Sequence, residues 1–212
     1  MKRLLLSTAL VAASAFAAHA ADLLVQDSAA APAGASSSFS GYVQVMGGMT
    51  LPNTLGWYDG SEYSYDMLSG WALGATFGIE TPVDGVSLEA DVLRTVVEYE
   101  DGGDFLNSTS VMGNAVFTAP LNDSLSLYAG AGAGFIMLDY NDDTDANDGT
   151  GSGLGYQIFG GAQLAVAENL SLTLEARHQA TFEPVTLDSG DYEGDELDFN
   201  RTSILAGVLF SF

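Results

Sequence analysis

The feature that most constrains this chain is an alternation of side-chain character with period two, in which one face stays apolar from end to end of each segment. Trp71, Leu73, Ala75, Phe77 and Ile79 form one face of such a segment, and Gly70, Ala72, Gly74, Thr76, Gly78 and Glu80 form the other. Leu125, Leu127, Ala129, Ala131, Ala133, Phe135 and Met137 repeat the pattern against Ser126, Tyr128, Gly130, Gly132 and Gly134. Leu170, Leu172, Leu174, Ala176, His178, Ala180 and Phe182 give it again, against Ser171, Thr173, Glu175, Arg177, Gln179 and Thr181. Successive side chains of a strand point to opposite faces, so these are strands with one oily and one small or polar side. Strands of soluble domains usually run about five or six residues. Longer strands with an unbroken apolar face suit a barrel whose oily side looks outward into lipid.

Eight such segments are expected, near residues 39–49, 68–80, 86–100, 108–118, 125–140, 153–166, 170–182 and 201–212. Short turns at 81–85, 119–124 and 167–169 alternate with long polar connections at 50–67, 101–107, 141–152 and 183–200. That rhythm is the layout of short periplasmic turns and longer external loops. The best helical candidate, residues 127–138, is glycine-rich and falls well short of the roughly 20 apolar residues a spanning helix needs. Backbone groups in hydrocarbon must all be paired, so the strands must close on themselves. The expected fold is all-β: a closed antiparallel transmembrane barrel of eight strands in an up-and-down meander.

Before residue 39 the chain reads differently. Lys2 and Arg3 open it, a small-residue and apolar stretch follows, and Ala18-His19-Ala20 supplies the pattern a signal peptidase reads. Residues 1–20 are therefore expected to be a cleaved signal peptide, residues 21–38 a flexible periplasmic lead-in and residues 39–212 the barrel domain. The cations left after such cleavage are Arg94, Arg177 and Arg201, with His178 as the one histidine. With 28 acidic residues against 5 basic ones and a net charge of -23, the chain would repel phosphate backbones, so nucleic acid is not an expected partner. Cysteine is absent, which excludes disulfides and thiolate metal sites.

The last segment, Ser203 to Phe212, alternates into a terminal phenylalanine, and Phe210 and Phe212 resemble the C-terminal signature that the barrel assembly machinery recognises. Over residues 39–212 the chain resembles the small porin-like, opacity-type and OmpA-type outer-membrane barrels of proteobacteria. The resemblance implies a Gram-negative outer membrane, lipid and lipopolysaccharide as surroundings, and the assembly machinery as a partner. No peptidoglycan-binding domain is expected after Phe212.

A barrel of this size has an interior just wide enough for its own side chains. Glu80, Glu89, Asp91, Asn114, Glu175 and Arg177 are expected to form an inward polar network, with Gln157 and Gln163 adding hydrogen bonds. Arg94 falls on the opposite parity from Glu89 and Asp91. A β-bulge near Leu93 is expected to reset the phase and bring Arg94 into the network, because a mid-bilayer arginine on the lipid face would cost about 2–4 kcal/mol; the alternative is an Arg94 that faces out near the headgroups. The network reads as structural, with a narrow ion or water path as the alternative.

Asp142, Asp143, Asp145 and Asp148 in one external loop, and Asp188, Asp191, Glu193, Asp195, Glu196 and Asp198 in another, read as a solvated acidic surface. A divalent-cation site is the alternative, but Asp148 and Leu154 stand where a calcium loop needs glycine and glutamate. The Arg177-His178-Gln179-Ala180 stretch partly resembles that of outer-membrane lipid A deacylases, with alanine in the place of their nucleophilic serine, so no enzyme and no cofactor are expected. Tyr58, Tyr63, Tyr65, Tyr140 and Phe182, and at the other end Phe39, Phe117, Tyr128, Phe210 and Phe212, read as interfacial aromatic girdles. Trp57, Tyr58, Tyr63 and Tyr65 could alternatively form a loop patch for a ligand or host surface. The leading expectation is a non-enzymatic envelope protein that displays acidic loops, ahead of an adhesin, a narrow channel and a lipid A-modifying enzyme.

Overall fold

The computed structural model describes residues 40–98, 100, 105–141, 149–189 and 192–212. The expected signal peptide and lead-in lie outside the described residues, as do Phe39 and the Asp142, Asp143, Asp145 and Asp148 group. The described chain forms twelve strands. Eight make the barrel wall: β1 (Gly41–Thr50), β4 (Gly70–Glu80), β5 (Val86–Glu98), β6 (Phe105–Pro120), β7 (Leu125–Asn141), β8 (Gly149–Ala167), β9 (Leu170–Thr181) and β12 (Asn200–Ser211). They close in a ring in the order β1, β12, β9, β8, β7, β6, β5, β4, every neighbour antiparallel.

Paired residues followed once around the ring from Gly41 run through Ile79, Leu88, Ala115, Ala131, Ile158, His178 and Thr202 to Leu51, whose amide bonds the Thr202 carbonyl at 2.8 Å. The stagger is ten residues (51 − 41), so the strands are steeply tilted around a narrow interior. The apolar faces look outward, with Leu73, Phe77, Val92, Phe135, Ile158 and Leu174 all exposed. In water such a surface would be untenable; in a bilayer it is the solvated face.

The remaining four strands correct an expectation. Segments 50–67 and 183–200, expected as long polar connections outside the eight strands, hold strands and buried apolar residues of their own. They contain β2 (Asn53–Tyr58), β3 (Glu62–Met67), β10 (Val185–Thr186) and β11 (Glu196–Asp198), which form a second sheet ordered β10, β11, β2, β3. Leu55, Trp57, Met67, Val185, Leu187, Leu197 and Phe199 bury themselves from this cap against Val97, Leu106, Met112, Ile136, Leu138 and Tyr140 of the wall. The cap exists because those apolar residues would otherwise stand in water at the extracellular mouth.

The glycines of the inward faces have a specific task. Tyr42 pairs with Gly78, Phe159 with Gly130 and Tyr128 with Gly161, and each ring lies over its glycine where a Cβ would overlap it. An aromatic ring laid flat on a neighbouring strand is how a narrow barrel fills its interior. Gly78→Ala should therefore displace Tyr42 and cost about 1–3 kcal/mol. Gly113→Ala, with nothing near the added carbon, should stay within about 0.5 kcal/mol of the parent. Urea midpoints of both variants in lipid vesicles check the difference, and equal midpoints would refute the packing role.

Candidate functional site

The interior is stacked in three layers. At the periplasmic end a cavity of about 400 Å³ opens between the short turns, lined by groups that include Tyr42, Gln44, Glu80, Glu89, Tyr128 and Thr173. Above it lies a charged plug, and above the plug lies the apolar core under the cap.

The plug is built by inward positions of β5, β6, β8 and β9. Arg177 Nε donates to Glu175 Oε1 at 2.7 Å, and its Nη1 donates to Asp91 Oδ2 at 3.1 Å. Asp91 Oδ2 also accepts from Asn114 Nδ2 and from Gln157 Nε2, each at 2.6 Å. Gln179 Nε2 reaches Gln157 Oε1 at 3.0 Å and Ser110 Oγ at 2.7 Å, which ties the plug into the layer above. Two tyrosines close it from below. Tyr42 donates to Glu89 Oε1 at 2.5 Å, and Tyr128 donates to Glu175 Oε2 at 3.1 Å. The Arg177 guanidinium also lies over the Phe159 ring, 4.6 Å from its centroid.

Charge is not balanced here. Glu89, Asp91 and Glu175 face one guanidinium, a formal excess of two negative charges (3 − 1). Asp91 Oδ1 is buried with no hydrogen-bond partner. Arg177 is thus the group on which the plug depends, since it is the cation among the described side chains that touches both Asp91 and Glu175.

Five of the residues assigned to an inward network from sequence meet in this way: Glu89, Asp91, Asn114, Glu175 and Arg177. Glu80 does not join them; it is exposed at the periplasmic mouth, on the rim of the cavity. Arg94 is on the outside. The β4–β5 and β5–β6 ladders run without interruption from Trp71↔Val96 to Glu80↔Ser87 and from Val86↔Phe117 to Glu98↔Phe105, so the bulge expected near Leu93 is absent. An arginine on the lipid face costs about 2–4 kcal/mol at the midplane, but only about 0–1 kcal/mol near an interface. Arg94 lies toward the extracellular end of β5, where Thr109 Oγ1 accepts from its Nη1 at 3.0 Å. The one register shift in the wall is between Ala165 and Ala167 on β8.

The girdle assignments divide similarly. Phe117, Phe182 and Phe212 are exposed at the strand ends, with Phe210 partly exposed beside Phe212. Tyr128 points inward into the plug, and Tyr140 and Trp57 are buried in the cap core, where Trp57 Nε1 donates to Asp195 Oδ2 at 2.8 Å. Gln157, expected from sequence to add hydrogen bonds inside, lies in the plug, and Gln163 Nε2 donates to Ser171 Oγ at 3.1 Å nearer the periplasmic end. Gln179 shares the inward parity of its strand, a signal that could have placed it in the network too. Arg201, buried over the Phe199 ring, carried the same signal. His178 faces outward, and its Nδ1 lies 3.0 Å from Thr202 Oγ1, with Ala180 two residues on. Among the described residues no cluster of three or more His, Cys, Asp or Glu has a metal-holding arrangement.

A closed ring of strands, apolar outside and polar within, defines an integral barrel protein of the outer membrane. The chain belongs to the outer membrane protein β-barrel domain family, whose profile matches residues 4–212. No curated protein matches it in sequence. Among solved structures it is similar to Neisserial surface protein A, at 14% identity over 81% of this chain and 97% of that one, with a TM-score of 0.55. It also matches the N-terminal barrel domain of Pseudomonas aeruginosa OprF, at 18% identity over 82% and 97% with a TM-score of 0.49. A third match is Ail, the attachment invasion locus protein of Yersinia pestis, at 15% identity over 81% and 99% with a TM-score of 0.42. These likenesses concern the fold.

Proposed function

We propose that the protein is a non-conducting, non-enzymatic component of the outer membrane that contributes to envelope integrity and presents an ordered acidic surface outside the cell. The observation that carries this reading is the double closure of the interior, first by the Arg177–Asp91–Glu175 plug and again by the apolar core under the cap. An ion crossing would have to break buried hydrogen bonds in one layer and enter an apolar layer in the next. Ala180, standing where the lipid A deacylase-like stretch would carry its serine, argues in the same direction against acyl transfer by that route. Phe210 and Phe212, at the periplasmic rim, fit recognition by the assembly machinery.

Purified barrel in planar bilayers should stay silent over many insertions, and unitary current steps would overturn the non-conducting reading. A strain lacking the protein should become sensitive to detergent, and unchanged sensitivity would remove the integrity role.

A surface-interaction role is the second reading, favoured by one observation. Glu62, Asp66, Glu196 and Asp198 share the exposed face of the cap sheet with Tyr58, which is 50% exposed. Replacing those four acids by their amides leaves the barrel and the cap core untouched. Loss of attachment with normal detergent resistance would favour the second reading over the first, and normal attachment would dispose of it.

A further inference from the structure

The charge distribution of the outer surface leaves one cation accessible from the lipid. Among the described residues the guanidinium groups are those of Arg94, Arg177 and Arg201, and the last two are 2% and 1% exposed inside the barrel. Arg94 is exposed on the lipid-facing side, between Leu73 of β4 and Thr109 of β6, with Val92 below it and Val96 above it on its own strand. It is the ninth of the thirteen residues of β5 (94 − 86 + 1 = 9), counted from the periplasmic end. A long side chain at that level keeps its stem in hydrocarbon and carries its head toward the headgroups.

The bond from Nη1 to Thr109 uses one of the five N–H donors of the guanidinium. Thr109 is its one hydrogen-bond partner among the described residues. It fixes the plane of the fork and leaves the other donors available to a planar or tetrahedral oxyanion. The rest of the extracellular side repels such a group, since Glu62, Asp66, Glu98, Asp139, Asp188, Glu196 and Asp198 all belong to it. Among the described residues an anionic headgroup packed against this barrel therefore meets a guanidinium only at Arg94.

We propose that Arg94 is a docking site for a phosphate of lipid A, the phosphorylated glycolipid of the outer leaflet, with Thr109 orienting the guanidinium and Leu73 and Val92 receiving the acyl chains. The outer leaflet is the one its level reaches, which favours lipid A over the glycerophospholipids of the inner leaflet. The site is independent of whether the barrel conducts, because nothing inside the barrel takes part.

The test is native mass spectrometry of the full-length refolded barrel with three probes: bisphosphorylated lipid A, dephosphorylated lipid A and phosphatidylglycerol. Arg94→Gln should lower retention of bisphosphorylated lipid A about tenfold, equivalent to about 1.4 kcal/mol. Arg94→Lys should keep most of that retention. Dephosphorylated lipid A should bind parent and variant alike. Retained binding of bisphosphorylated lipid A by Arg94→Gln would overturn the site. An equal loss with the dephosphorylated probe would overturn its assignment to phosphate. Retention of phosphatidylglycerol as strong and as Arg94-dependent as that of lipid A would overturn the choice of lipid. A heat-dependent gel shift identical to the parent's shows that each variant carries a folded barrel, and Arg94→Lys supplies a second folded comparison.

Discussion

Arg177→Met should destabilise the barrel by about 3–5 kcal/mol, the cost of removing one partner from a buried ion pair. The side chains of Arg177 and Asp91 are each 1% exposed, and that of Glu175 is 3% exposed. Methionine fills much of the volume and can still lie against Phe159, so the loss is electrostatic rather than a cavity. It leaves Glu89, Asp91 and Glu175 with no cation among them. Asp91→Asn acts in the opposite sense on charge, lowering the formal excess from two to one. It weakens an oxygen that now accepts from Asn114, Gln157 and Arg177, so its expected cost is the smaller, about 1–3 kcal/mol. Adding Glu175→Gln to Arg177→Met should recover part of the loss, with a coupling of about 0.5–3 kcal/mol. Urea unfolding in vesicles of the parent, Arg177→Met, Asp91→Asn, Glu175→Gln and the double variant measures these effects. A stable Arg177→Met variant, or an Asp91→Asn variant as damaged as it, would mean that the plug is not held by charge.

Which parts of this arrangement the sequence made legible follows from the range over which each signal acts. The lipid face was readable because it repeats every second residue over whole strands, as in Trp71 to Ile79 and Leu125 to Met137. Expected segments such as 68–80 and 125–140 lie within a few residues of Gly70–Glu80 and Leu125–Asn141. Parity alone also brought Glu89, Asp91, Glu175 and Arg177 to one side of the wall. Where an expectation departs from parity, the structure follows parity. No bulge brings Arg94 inside, and Tyr128 and Tyr140, whose distance along the strand suits a girdle, point inward as their parity requires. The cap was the least legible element. Its signals are pairs such as Leu55 with Trp57 and Leu197 with Phe199, too short to distinguish a strand from a loop. Their partners are remote as well, since Tyr58 pairs with Glu196. Only the closed wall brings those segments to the same mouth.

That dependence on the wall sets the second large effect. Phe199 is fully buried where β11 passes into β12, and Phe199→Ala should cost about 3–5 kcal/mol at that site. The loss should stay in the cap, because Phe199 lies beyond the last β9–β12 pair, Asn200↔Ala180, and the bond from the Thr181 amide to its carbonyl does not involve the ring. Local opening governs cleavage in such a case, so proteolysis within residues 50–67 and 183–200 should rise by about 100-fold or more while the heat-dependent gel shift stays unchanged. The two tryptophans separate the layers directly. Trp57 sits in the cap core and Trp71 on the lipid face, so in a Trp71→Phe background a red shift in emission reports the cap alone. Current through Phe199→Ala should still be absent, since the Arg177–Asp91–Glu175 layer lies beneath. Conduction should require Phe199→Ala together with Asp91→Asn, which opens the cap and relaxes the plug. Steady current through Phe199→Ala alone would show that the cap is the sole barrier, and collapse of the whole barrel in that variant would show that cap and wall fold as one unit.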